Sequence, residues 1–127
     1  MKSSKEETNA FLIHISALLG FLFPFGGIII PLVLWKAQKT ESPFLNNNGK
    51  EAVNFNITFG FYKIILAVGL FTSFFVFAFL KVPGIIFLLF GIYGLFELMS
   101  VCLIIIAASK AQKGETYQYP MTINFLK

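Results

Sequence analysis

Two charged side chains stand where charge is costly. Lys63 is flanked by Phe61, Tyr62, Ile64 and Ile65, and Glu97 by Leu95, Phe96, Leu98 and Met99. An ionised group at the centre of a membrane helix costs about 2.5–3.5 kcal/mol on insertion scales, so such groups turn toward protein or water and pair. Asn56, Gly60, Lys63 and Ala67 share one helical face, and Gly94, Glu97 and Val101 share another. Small residues on such faces let helices approach. From Phe55 to Lys63 is roughly 12 Å of helix, and from Ala108 back to Glu97 roughly 16 Å. On antiparallel helices entered from the same side, those depths predict that Lys63 and Glu97 face each other. The pair then offers three chemistries. It fixes helix register, it couples proton or substrate movement, or it separates, with Lys63 snorkelling to the interface.

His14 is the single histidine, near the start of an apolar stretch with Ser16 beside it. Its ring titrates near neutrality, which suits either a pH-responsive role or an interfacial hydrogen bond. Asn54 and Asn56 lie where the next apolar stretch begins, placed to bond a broken backbone around Gly26 and Gly27. The lone Cys102 excludes an intramolecular disulfide and reads as a small packed side chain. There is no nucleophile motif, no paired carboxylates and no glycine-rich phosphate loop. No catalytic residue, metal site or cofactor is expected, and the chain reads as non-enzymatic.

The elements that hold these residues follow from composition. Of 127 residues, 57% are hydrophobic and 13% charged, and seventeen are Phe. Mean hydropathy is +0.78. Soluble domains average about 45–50% apolar and about 25% charged, so the expected partner is a lipid bilayer and the expected fold class is an all-α integral membrane domain over 1–127. The net charge of +4 comes from ten Lys against six Glu. With no Arg there is no bidentate phosphate fork, and no nucleic-acid partner is expected.

Three apolar segments are long enough to span, at about 10–35, 52–80 and 85–109. A polar loop, 36–50, separates the first two, and an interfacial tail, 110–127, closes the chain. Trp35 beside Lys36 reads as an interfacial anchor. The first segment contains Pro24, Gly26, Gly27 and Pro31, residues that break or loosen a helix. It is either one kinked span or a re-entrant hairpin. With a kinked span, Lys36, Lys39, Lys50, Lys110, Lys113 and Lys127 oppose Lys2, Lys5 and Lys81. With a hairpin, only Lys81 stands opposite the rest. Either count places loop 36–50 and the C-terminus in the cytoplasm, at the bacterial inner membrane. The charge count favours the hairpin, whereas the cost of uncovered broken backbone in lipid tilts the balance toward the kinked span.

His14-x-Ser16, Pro24-Phe25-Gly26-Gly27 with Pro31, Ser42-Pro43-Phe44, Gly49-Lys50-Glu51-Ala52-x-Asn54-Phe55 and Gly114-Glu115-x-Tyr117-x-Tyr119-Pro120 form an ordered pattern. The pattern resembles a widespread family of small bacterial multi-pass membrane proteins. That family is distantly similar to the twenty-kilodalton channel-region subunit of the chloroplast inner-envelope protein translocon. The resemblance implies a helical subunit or accessory factor of a membrane complex, self-associating or joined to larger partners, in protein translocation or insertion. Lys63 and Glu97 lie outside the pattern. The rival expectation is an oligomeric transporter or ion channel using Glu97, Lys63 and His14 along one polar path.

Overall fold

A computed structural model describes residues 3–22 and 25–127, the side chain of Phe21 excepted. Among these residues the chain is helical, with no strand: α1 (Ser4–Ile15), a 3-10 helix (Ser16–Phe21), α2 (Gly26–Gln38), α3 (Pro43–Leu80) and α4 (Gly84–Ala111). Each start has a local cause. Ser3 caps α1 by accepting from Glu6 N at 3.1 Å, and Glu6 and Glu7 complement the positive end of the helix. Ser42 caps α3 by accepting from Leu45 N at 3.2 Å, with Pro43 in the first turn. At the other end of α3, Lys81 adopts a left-handed conformation at φ 55°, and the chain reverses into α4.

The Ser42 cap corrects the expected polar loop. Residues 43–50 are helical, α2 runs on to Gln38, and the connection shrinks to four residues. The Asn46-Asn47-Asn48-Gly49 run looks loop-like, but Gly49 is where Trp35 packs. A Cβ there would overlap the indole ring, and Trp35 Nε1 donates to Asn46 Oδ1 at 3.0 Å. Trp35 is therefore a buried packing residue, with Lys39 Nζ 5.2 Å above its ring. Cys102, expected to be packed, is exposed.

The first apolar segment is a hairpin, and the kinked-span reading is corrected. Ala10 and Ile13 of α1 share one buried cluster with Phe44, Leu45, Ala52 and Ala111, and Leu34 of α2 packs against the same cluster. Both arms thus end at the same end of α3. The reversal passes Phe25, held at φ 62°. Of the expected break residues, Pro24 lies outside the described residues. Gly26 and Gly27 open α2, and Pro31 lies inside it. The glycines serve close approach: a Cβ on Gly20 would stand 2.9 Å from Gly27 N, and one on Gly27 3.1 Å from Ala17 O. The cover that broken backbone needs comes from the other arm and from α3.

Burial divides the long helices sharply. In α3 the buried residues run from Phe44 to Phe59, with Ser73 alone beyond; in α4 they run from Ser100 to Ala111. These ends join α1, the 3-10 helix, α2 and the tail in a compact head. The remaining halves form a bare two-helix rod that exposes Phe71, Phe75, Phe79, Phe87 and Leu95, among others. Both helices are long and apolar enough to cross a membrane, and only 6% and 11% of their most apolar windows is buried. A core helix of a water-soluble bundle would be covered instead. From Phe61 to Leu80 the rod is about 20 residues, or roughly 30 Å, the thickness of a hydrocarbon layer.

Candidate functional site

Where the rod meets the head, the hairpin turn stands off from α3 and α4. It leaves a partly enclosed groove of about 600 Å³, within the roughly 300–1,000 Å³ of small-molecule clefts. The turn contributes Gly20, Phe25 and Ile28; α3 contributes Asn56, Gly60 and Lys63; α4 contributes Tyr93, Glu97 and Ser100. Lys63 Nζ lies 3.0 Å from Glu97 Oε2, with the side chains 34% and 20% exposed. Tyr93, one turn earlier on α4, lines the groove beside Glu97. Lys63 reaches across from α3 to Glu97 of α4, whereas Gly60, one turn earlier, faces Ile28 of α2. Asn56 is on the Gly60 face, but its Nδ2 donates to Ala52 O in its own helix at 2.7 Å. Its Oδ1 comes within 3.8 Å of where a Gly27 Cβ would be, so Asn56 borders the hairpin, and among the described residues its side chain does not bond the hairpin backbone.

His14 belongs to a separate cluster inside the head. Its Nε2 is 3.0 Å from Asn48 Oδ1, and its Nδ1 2.9 Å from the Tyr119 hydroxyl. Asn48 Nδ2 points at Phe44 O (3.0 Å) and Thr116 Oγ1 (3.1 Å). A backbone carbonyl only accepts, so the Asn48 amide is fixed, its oxygen accepts from His14 Nε2–H, and Nδ1 is left to accept the Tyr119 proton. Every group is satisfied by a neutral imidazole. Burial accordingly pulls the His14 pKa down from 6.5 to about 4, against a raising contribution from Asn48. The Tyr119 hydroxyl is held well above its ordinary value by burial, then by Glu51 and Tyr117.

The tail is clamped onto the head. Asn54 Oδ1 accepts from Leu126 N at 2.8 Å and its Nδ2 donates to Leu126 O at 3.0 Å. Thr58 Oγ1 accepts from Ile123 N at 3.0 Å, Tyr62 donates to Met121 O at 2.9 Å, and Lys50 donates to Lys127 O at 2.7 Å. Lys50, Asn54, Thr58 and Tyr62 repeat every four residues, so one stripe of α3 grips an extended chain. Sequence reading noticed Asn54 but missed the stripe. Its signal was the four-residue spacing of polar groups ending opposite an aromatic-rich tail.

The structure thus brings Lys63 and Glu97 together, sets Asn56 beside them, and puts His14 and Asn54 elsewhere. His14 does not line the groove, so a single polar path through His14, Lys63 and Glu97 is not assembled. Among the described residues no group of three or more His, Cys, Asp or Glu stands ready to hold a metal ion.

The sequence of the whole fold, hairpin to tail, matches one family model. It is MamF_MmsF, the magnetosome magnetite crystal formation protein family, over residues 5–126. The chain belongs to that family. No curated protein and no solved structure matches it. The finding overturns the likeness to a chloroplast translocon subunit, and the expectation of protein translocation falls with it. The motifs that suggested the likeness have a structural explanation: His14, Gly49, Asn54 and Tyr119 are contact residues of the head, and such contacts report a packing arrangement rather than a cargo.

Proposed function

We propose that this protein is a non-enzymatic integral membrane protein of the magnetosome membrane that acts in magnetite crystal formation through the membrane itself. The observation that carries the reading is the division into a bare apolar rod of bilayer length and a compact polar-edged head. The rod enters the bilayer, and the hairpin stays on the head's side as a re-entrant element. Lys5, Lys36, Lys39, Lys50, Lys110, Lys113 and Lys127 then lie on the head side, and Lys81 alone of the described lysines lies at the far tip. The positive-inside rule puts the head in the cytoplasm. The compartment side then receives little more than Lys81-Val82-Pro83, a surface without a carboxylate on which iron could gather. An effect on the crystal therefore runs through membrane organisation, by self-association or by a complex with larger membrane partners, rather than through a mineral-templating face.

The test has two parts. Alkaline carbonate should leave the protein in the membrane pellet. Deleting its gene in a magnetite-forming host should shift the size distribution of crystals seen by electron microscopy, and complementation should restore it. Extraction by carbonate, or an unchanged distribution, overturns the reading.

A further inference from the structure

We infer that the groove at Lys63 and Glu97 is a binding site for one phospholipid whose head joins a phosphate ester to a primary ammonium, the phosphatidylethanolamine type. The inference rests on the membrane reading above, which supplies the depth. Lys63 stands three residues past Gly60, roughly 4–5 Å into the rod. The pair therefore lies at the level of headgroups and glycerol rather than at the bilayer centre.

Charge complementarity selects the class. The groove is lined by one cation and one anion 3.0 Å apart, their side chains partly exposed although the Glu97 Oε2 atom that faces Lys63 is buried. A zwitterionic head answers both, phosphate to the Lys63 ammonium and ammonium to the Glu97 carboxylate, with charge-assisted hydrogen bonds on each side. An anionic head with no cation satisfies Lys63 and repels Glu97. A quaternary ammonium carries no N–H for the carboxylate. Tyr93, on the same lining beside Glu97, adds a polar hydroxyl to the charged spot. The rest of the lining suits an acyl chain: Phe25, Ile28, Phe61, Ile64 and Val101 surround the charged spot. Gly60 keeps the floor open, since a Cβ there would already come within 3.3 Å of Ile28 Cδ1.

The full-length protein in mild detergent is incubated with equal amounts of phosphatidylethanolamine, phosphatidylcholine and phosphatidylglycerol and examined by native mass spectrometry. One phosphatidylethanolamine should be retained per chain, at least fivefold over either competitor. Glu97→Gln should bring the ratio to phosphatidylglycerol near one. Gly60→Leu, which fills the floor, should lose all three lipids while its helical circular dichroism is unchanged. If Gly60→Leu does not fold, Glu97→Gln decides alone. Equal retention of the three lipids by the wild type, or an unaltered preference in Glu97→Gln, overturns the inference. A protein that stays folded and dispersed without detergent overturns the membrane reading instead; a detergent-requiring protein with no headgroup preference overturns this inference only.

Discussion

Acid should loosen the head at a pH far above that of ordinary carboxylate titration. In the folded head His14 is neutral and its pKa is lowered to about 4, against 6.5 for a solvated ring. A base whose pKa is depressed by folding resists protonation only while folded. Its contribution is complete above pH 6.5 and is lost progressively as pH falls toward 4. Between pH 7.5 and 5.5 the loss is on the order of 1 kcal/mol, and it approaches about 3 kcal/mol near pH 4. The groups facing the ring are the Tyr119 hydroxyl and the Asn48 amide, neither of which titrates in that window. Trp35 reports the event, because it is the only tryptophan and packs on Gly49 within the head. Denaturant unfolding in detergent micelles, followed by indole fluorescence at pH 7.5, 6.5 and 5.5, should give a falling midpoint. His14→Gln should be less stable at pH 7.5 and flat across the range. A wild-type midpoint that does not move, or a variant that moves as much, refutes the argument.

At the alkaline end the sign reverses. Tyr119 must stay protonated to donate to His14, so stability should be intact below pH 10 and decline as pH rises past it, and Tyr119→Phe should remove that dependence in the same fluorescence assay. Gly20→Val should cost about 1–3 kcal/mol, because its Cβ would press on Gly27 N, a backbone atom that cannot swing away; an unchanged unfolding midpoint would show that the arms are not in contact. Asn54→Ala removes both bonds to Leu126, worth about 1–3 kcal/mol, and should speed amide exchange at residues 121–127 while leaving α4 unaffected. Ser42→Ala should cost about 1 kcal/mol through the lost cap, measured as a lower midpoint of the Trp35 transition.

Local signals were the legible ones. The break between the segments at 52–80 and 85–109 could be read because a proline and a glycine interrupt a long apolar run. The meeting of Lys63 and Glu97 followed from the cost of charge in lipid, the residues sharing each helical face and the rise per residue. What escaped was set by distant contacts. His14 finds Tyr119 across 105 positions, and no spacing rule reaches so far. The Asn46–Gly49 run has loop-like composition, and only the facing Trp35 explains why it is helical. The Ser42-Pro43 start was in plain view, a capping residue followed by a first-turn proline, and was outweighed by three asparagines. The hairpin was misjudged because its cover, the opposite arm and α3, is invisible until the fold is assembled. The extent of the rod was overestimated for the same reason: an apolar residue reads alike whether protein or lipid will cover it.

The stripe that holds the tail touches main-chain atoms. Asn54, Thr58 and Tyr62 engage the amides and carbonyls of residues 121, 123 and 126, and none of these bonds asks what side chain those positions carry. Ile123 and Phe125, both about half exposed, can therefore be exchanged for other residues without unlatching the tail, and a new membrane-contacting or partner-contacting surface can be written there at little structural cost, whereas Met121, held at φ 55°, is restricted to residues that tolerate the left-handed region. Proline is the exception at 123, 125 and 126, whose N–H groups are spoken for, and at 121, whose positive φ it cannot adopt. The tail is in this sense an interchangeable label mounted on a fixed rail.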